Sequence, residues 1–156
     1  MRMNIQIRKA TKDDWQVIQK LNNEVFEDNA AYDTYLHLRY PFSKEGIDHY
    51  KKLVTSPDYC TFIAFVDGLA VGHISGGPRV ITYRNVKIAE IIEFGVSPKY
   101  RSKGIGVKLF EELRAWCKRL GYQTMMVNSY FTNDKAIAFY KRQGLVPIDI
   151  DLEMKV

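Results

Sequence analysis

The 156-residue chain has 46% apolar and 26% charged residues. These proportions are typical of one folded domain over 1–156, and they exclude a disordered chain and a second domain of any size. The net charge of +5 suits an anionic partner, which could be nucleic acid, a phosphorylated cofactor or an acidic surface, and the charge alone does not choose among them.

The first third of the chain predicts one strand and up to three helices. Residues 3–8 alternate polar and apolar side chains, as a strand does. Thr11 and Asp14 resemble a capping box, and apolar residues at helical spacing then predict a helix from Lys12 to Phe26. Residues 30–56 carry two weaker helical patterns, which are separated by Pro41.

The middle of the chain predicts a β-hairpin and a central strand. The runs 61–66 and 69–75 are joined by Asp67-Gly68, a strong signal for a tight hairpin turn. We expect Gly76-Gly77-Pro78 to end that hairpin. The run from Ile88 to Val96 is rich in β-branched residues and predicts a central strand, although two glutamates interrupt it.

The last third predicts alternating helices and strands. An apolar helical face (Leu109, Leu113, Trp116, Cys117 and Leu120) precedes Gly121, and residues 124–129 form a strand. Asn133 caps a short helix that Gly144 closes, and Leu145 to Leu152 predict a final strand. The resulting order of β, α, α, β, β, β, α, β, α, β indicates a mixed α/β domain.

The segment between Val96 and Gly106 carries the chemistry that the sequence reveals. It leads from a strand into a helix and contains Gly104 and Gly106 together with Arg101 and Lys103. Backbone N–H groups at a helix start have no intrahelical partner, so they can bind a pyrophosphate. Glycines that only shape a tight connection are the alternative interpretation.

The combination of two motifs is more specific than either one. Arg101-x-x-Gly104-x-Gly106, followed by Asn133-x-x-Ala136-x-x-Phe139-Tyr140-x-x-x-Gly144-Leu145, resembles the GCN5-related N-acetyltransferase (GNAT) superfamily over residues 60–150. The resemblance implies a mixed, mostly antiparallel six- or seven-stranded sheet flanked by helices. It also implies that the sheet splays apart between the strand that ends at Val96 and the strand near Thr124 to Ser129, with acetyl-coenzyme A as co-substrate in the split.

The resemblance also implies a set of cofactor-binding residues. Pantetheine would pair with the strand around Phe94, Gly95 and Val96, and Asn133 and Ala136 would lie beside it. The pyrophosphate would rest on the loop formed by Arg101, Ser102, Lys103, Gly104, Ile105, Gly106 and Val107. The Val96 amide would lie near the thioester carbonyl, where negative charge develops in the transition state.

Two glutamates and one tyrosine are the candidate catalytic residues. An amine must lose a proton before it attacks a thioester, and Glu90 and Glu93 lie on the strand that lines the proposed cleft. Residues three apart face opposite sides of a strand, so only one of them points into the cleft unless a bulge intervenes. In similar enzymes a tyrosine at the Tyr140 position protonates the leaving thiolate, although core packing also explains an aromatic there.

The resulting expectation is an N-acetyltransferase that moves an acetyl group from acetyl-CoA to a primary amine by direct attack in a ternary complex. A transferase of a longer acyl group and a CoA-sensing module without turnover are the alternatives.

We expect no metal, because the two cysteines and three histidines show no metal-site spacing. Absence of a signal peptide and of a long apolar run predicts a cytoplasmic protein that does not bind a membrane. No arginine-rich helix or aromatic RNA-binding motif supports binding of nucleic acid. A homodimer stays open.

Overall fold

A computed structural model describes residues 3–156, which form a five-stranded sheet and four α-helices. The strands are β1 (Ile5–Lys9), β2 (Cys60–Val66), β3 (Leu69–Arg79), β4 (Ile88–Val96) and β5 (Thr124–Val127), and the helices are α1 (Trp15–Asn29), α2 (Lys44–Thr55), α3 (Ile105–Arg119) and α4 (Asp134–Arg142). Strands β1 to β4 pair in chain order as antiparallel neighbours, and β5 pairs parallel to β4. The expected mixed α/β architecture is therefore confirmed, with five strands in place of six or seven.

Apolar side chains on the two faces of the sheet form two cores. On one face α3 packs through Leu109, Leu113 and Trp116 against β2, β3 and β4. On the other face α1 and α2 enclose Ile63 and the fully buried Tyr50, whose hydroxyl accepts a hydrogen bond of 2.8 Å from Asn22 Nδ2. Burial of both faces fixes the central strands β3 and β4, which hold the candidate site residues.

The hairpin turn is confirmed, but the predicted end of β3 is wrong. Asp67 and Gly68 adopt positive φ values of 50° and 81°, as a tight turn between twisted strands requires. Strand β3 then continues through Gly76, Gly77 and Pro78 to Arg79 and pairs with the first half of β4. The glycines serve close packing, since a Cβ on Gly76 would lie 2.7 Å from Leu113 and one on Gly77 would lie 2.3 Å from the Tyr59 ring.

A β-bulge interrupts the pairing of β3 with β4. Ser75 lies opposite Glu93, but Gly76 lies opposite Ile91 and Gly77 opposite Glu90. Residues directly opposite each other in an antiparallel pair point to the same face, and Ser75 and Gly77 are two apart on β3. The extra residue on β4 therefore brings Glu90 and Glu93 to the same face of the sheet, although they are three apart in sequence.

The sheet splits between β4 and β5. Their parallel ladder joins only Ile88–Ile91 to Thr124–Val127. Beyond Ile91, strand β4 continues to Val96 with no β5 partner among residues 3–156. The predicted splay between the strand that ends at Val96 and the strand near Thr124 is confirmed, and it leaves an open strand edge beside the start of α3.

Two other predicted elements do not form. Residues 30–39 adopt turns in place of the first of the two weak helices, and the chain enters α2 through a short 3-10 turn at Tyr40–Phe42. Ser43 caps α2 by accepting a hydrogen bond from the Gly46 N–H at 3.0 Å. The final strand predicted from Leu145 to Leu152 is also wrong, because residues 145–156 join no ladder within the described chain.

Candidate active site

The connection from β4 to α3 presents a row of free backbone donors. The N–H groups from Ser102 to Val107 have no hydrogen-bond acceptor among residues 3–156, and the first bond of the helical ladder runs from Lys108 N to Gly104 O at 3.2 Å. Ser102 and Gly104 adopt positive φ values of 59° and 80°, which turn the loop sharply into the helix. Consecutive free donors at the positive end of a helix dipole are suited to a polyanion such as a pyrophosphate.

The two glycines of this loop differ in why they are needed. Gly104 has a left-handed backbone and a Cβ there would meet nothing within 4 Å, so its conformation, and not crowding, favours glycine. A Cβ on Gly106 would make ordinary contacts of 3.5 Å with Phe139 and 3.6 Å with Phe94. No protein atom therefore excludes a side chain from Gly106, which leaves close approach of a ligand as a reason for glycine at this position.

The cationic residues of the loop are engaged within the protein. Arg101 donates from Nε to the Val96 carbonyl at 2.8 Å, and its guanidinium also pairs with Asp28 near the end of α1. Lys103 lies over the Tyr100 ring, 5.6 Å from its centre. Arg101 thus links the end of β4 to α1, and its direct contact with a phosphate stays a prediction.

The two candidate glutamates share a face of β4 but have different partners. Glu90 accepts a hydrogen bond of 2.7 Å from Arg79. Glu93, whose side chain is 15% exposed, lies 2.8 Å from His49 Nε2. The permanently charged guanidinium neutralises Glu90, so Glu93, which also lies nearer to Val96, is the better candidate base.

The remaining β4 candidates lie on both sides of the sheet. Gly95 faces α1, and a Cβ on it would lie 2.4 Å from Val25, so close packing of α1 already accounts for this glycine. The Phe94 ring lies on the opposite face, 5.4 Å from the ring of Phe139 and 6.2 Å from that of Tyr140. The open edge of β4 therefore has a glutamate on one side and an aromatic cluster on the other.

Tyr140 lies in this aromatic cluster at the side of the split. Its hydroxyl makes no hydrogen bond with any of residues 3–156, and burial raises the pKa of the phenol to about 12. The group is therefore protonated at neutral pH and has a free donor. These are the properties that a general acid at the end of a thioester cleavage needs.

Helix α4 is fixed by the predicted cap. Asn133 Oδ1 accepts a hydrogen bond from the Ala136 N–H at 3.2 Å. Its side-chain amide donors have no partner within residues 3–156. The cap was predicted from sequence, and contact of Asn133 and Ala136 with a bound cofactor stays a prediction.

A polar contact joins the two segments that border the open end of the split. The Tyr130 hydroxyl, on the connection from β5 to α4, donates to Asp33 Oδ2 at 3.0 Å, and its ring stacks on Tyr32 with centres 5.8 Å apart. The sequence interpretation missed Asp33, Tyr130 and His49, because their partners are distant in the chain and no local spacing marks them.

Neither a metal cluster nor a membrane helix emerges from the described residues. Within 3–156 no three His, Cys, Asp or Glu side chains come together as metal ligands would. None of the helices there has the length and apolarity needed to cross a bilayer.

Comparison with known proteins identifies relatives in sequence and in fold. The sequence model of the Acetyltransferase (GNAT) family matches residues 15–145. An uncharacterized N-acetyltransferase of Methanocaldococcus jannaschii is 28% identical over 139 residues, which are 88% of this chain and 59% of the relative. An uncharacterized N-acetyltransferase of Archaeoglobus fulgidus is 28% identical over 143 residues, which are 90% of this chain and 92% of the relative. The chain thus spans about three fifths of the first relative.

Solved structures share the fold. A mutant protein from Bacillus halodurans superposes with a TM-score of 0.84 at 20% identity, covering 97% of this chain and 99% of that one. An aminoglycoside N-acetyltransferase in complex with CoA superposes with a TM-score of 0.75 at 13% identity, covering 99% of this chain and 95% of that one. At these identities the likeness concerns the fold alone.

Proposed function

The chain belongs to the GNAT acetyltransferase family, and we propose on that basis that it transfers an acetyl group from acetyl-CoA to a primary amine by direct attack in a ternary complex. The observation that carries the proposal is the row of free N–H groups from Ser102 to Val107 beside the unpaired edge of β4. Together the two features would bind a long amide-bearing chain that ends in a diphosphate.

The chain's own residues would divide the binding of acetyl-CoA between them. The backbone from Ser102 to Val107 would bind the pyrophosphate, and Phe94 to Val96 would pair with the pantetheine arm as a neighbouring strand does. Asn133, with free amide donors, would contact that arm from α4. The backbone N–H and C=O groups of a strand edge need hydrogen-bond partners, and the amides of such an arm would supply them.

The catalytic groups would act from opposite faces of β4. Glu93 would take a proton from the amine on the α1 and α2 side, so that the nitrogen can attack the thioester carbonyl. The Val96 N–H would stabilise the developing oxyanion. Tyr140, which burial keeps protonated, would deliver its proton to the departing sulfur from the α3 and α4 side.

The acceptor side of the cleft favours a cationic amine. Glu93 lies there with a 15% exposed side chain, Asp28 lies near the end of α1, and Asp33 lies in the segment that follows it. Carboxylates near an entrance attract and orient ammonium groups. Structural neighbours include aminoglycoside acetyltransferases, so aminoglycosides belong in the acceptor panel with polyamines, amino acids and peptide amines.

Release of free thiol from acetyl-CoA in the presence of each amine tests the proposal. We expect thiol release that depends on the amine, with one acetylated product per thiol. A faster reaction with a longer acyl-CoA would show that this longer acyl group, and not acetyl, is the group that the enzyme transfers. Tight CoA binding in calorimetry without thiol release from any amine would contradict an enzyme and favour a CoA-sensing module.

We also propose a homodimer formed through the C-terminal tail, residues 146–156. Every second residue of the tail is apolar (Val146, Ile148, Ile150, Leu152, Met154 and Val156), and all six side chains are more than half exposed. Extended, the tail is about 35 Å long, whereas the four-residue β5 offers an edge of about 13 Å. The tail carries three acidic residues and one lysine, and the chain as a whole is basic, so the rest of a second copy offers the tail the opposite charge.

A further inference from the structure

His49 contacts the candidate base from a helix that carries no part of the family motifs. It lies on the inner face of α2, three residues after the buried Gly46 and four before the buried Leu53. Its Nε2 atom is 2.8 Å from Glu93 Oε1, and the two side chains are 27% and 15% exposed. A close, mostly buried contact of this kind orients a carboxylate more firmly than a surface pair does.

The imidazole ring is itself held in place. It lies edge-on to the ring of Tyr50 with centres 5.4 Å apart, and Tyr50 is fully buried and bonded to Asn22 on α1. The start of α2 packs tightly on the preceding turn, since a Cβ on Gly46 would lie 2.0 Å from the Tyr40 carbonyl oxygen. The buried Tyr50 ring and the tight packing at the start of α2 thus restrict the direction in which Nε2 points.

The contact leaves one oxygen of Glu93 free. His49 Nε2 lies 2.8 Å from Oε1, within hydrogen-bond distance of that oxygen only, while Oε2 has no partner among residues 3–156 and is not enclosed. The other ionisable groups near Glu93 are the hydroxyls of Tyr40 and Tyr50, which burial keeps protonated by raising their pKa. No second cation within the described chain therefore competes for the carboxylate.

We propose that His49 is a positioning residue for Glu93. Its Nε2–H holds Oε1, so that Oε2 faces the acceptor amine and receives the proton. This inference rests on the proposed function, in which Glu93 is the base. Glu90 has no equivalent arrangement, because its partner Arg79 binds it as a surface-accessible charge pair.

Kinetics of three variants with acetyl-CoA and the fastest amine of the panel test the proposal. We expect His49→Ala to lower kcat about tenfold, with the acceptor KM and the CoA Kd unchanged. His49→Gln, which keeps an N–H donor, should retain most of kcat. Asp48→Ala, an exposed neighbour on α2, is the matched control and should match the wild type.

A double-variant cycle separates this inference from the proposed function. In a Glu93→Gln background, His49→Ala should cause no further loss, because the group that it positions is already disabled. An equal tenfold loss in that background, or wild-type kcat in His49→Ala, would overturn the inference and leave Glu93 as the base. Full activity of Glu93→Gln itself would overturn both.

Nitrogen-15 NMR of the histidine rings tests the contact without any turnover. The chain has three histidines, and His49→Ala assigns the signal. We expect a protonated Nε2 whose resonance shifts in Glu93→Ala and does not shift in Glu90→Ala. An Nε2 signal that ignores Glu93→Ala would overturn the proposal.

Discussion

The Tyr140 hydroxyl bonds no other residue of 3–156, and its ring packs against Phe94 and Phe139, which agrees with the proposed role of general acid. We expect Tyr140→Phe to lower kcat by one or more orders of magnitude and to leave CoA affinity largely intact, because only the donated proton is lost. Stopped assays and calorimetry measure the two effects. Near-normal turnover would remove Tyr140 from the acid role, and Tyr83→Phe, at an exposed tyrosine, is the control.

His73 links stability to pH. The side chain is fully buried on β3, both ring nitrogens lack a partner among residues 3–156, and burial lowers the pKa to about 4 from 6.5. Below pH 6.5 His73 is protonated in the unfolded chain, whereas in the folded chain it stays neutral until about pH 4. The stability that His73 contributes is therefore complete above pH 6.5 and is lost as the pH falls toward 4.

Denaturant unfolding at several pH values measures this linkage. We expect the free energy of unfolding to fall by about 1 kcal/mol per pH unit within that window, and His73→Leu to flatten the slope. His37→Gln, at an exposed histidine, should keep the wild-type slope. An unchanged slope in His73→Leu would show that another group takes up the proton.

At the scale of elements, the turn into α3 gives the sharpest test of the cofactor site. We expect Gly104→Glu to abolish CoA binding, because its carboxylate would repel the phosphates and cover the free N–H groups. Gly121→Glu is the matched control, since Gly121 also has a positive φ, 72°, and open space around it, but lies at the other end of α3. Calorimetric titration with CoA compares the two variants, and equal affinities would contradict binding of the pyrophosphate by the N–H groups of this loop.

Local patterns predicted the elements that local chemistry determines. The Asp67-Gly68 turn, the Asn133 cap and the Ile88–Val96 strand are confirmed because a turn, a cap and an apolar run each leave a signal within a few residues. The end of β3 was missed because packing, against Leu113 and Tyr59, is what requires Gly76 and Gly77. Both of these partners are distant in sequence from the glycines that they contact. Glycine is a turn signal only where the backbone, and not the packing, requires it.

The candidate site divides in the same way. The loop from Arg101 to Val107 was found from its own glycines and charges, and its free N–H groups agree with that interpretation. Whether Glu90 and Glu93 lie on the same face of β4 could not be predicted. Regular alternation would place these residues on opposite faces, and the bulge beside Ser75 brings both to one face. A bulge depends on the pairing of two strands, so one strand's sequence does not reveal it.

At the scale of the whole molecule, the tail sets the expected assembly. Light scattering of the full chain should give the mass of a dimer, and removal of residues 146–156 should give a monomer that keeps its helical content. Ile150→Lys, at an exposed tail position, should weaken the dimer without unfolding the monomer. A monomeric full chain at micromolar concentration would contradict the proposed dimer.

The ladder between β4 and β5 is only four residue pairs long, so few backbone hydrogen bonds hold β5 to the rest of the sheet. A ligand that binds only the folded state adds RT ln(1 + [L]/Kd) to its stability. We therefore expect the melting temperature to climb with CoA concentration and hydrogen exchange in β5 and α4 to slow most. Such a protein would be best protected against proteolysis when its co-substrate is abundant, so that its lifetime follows the acyl supply of the cell.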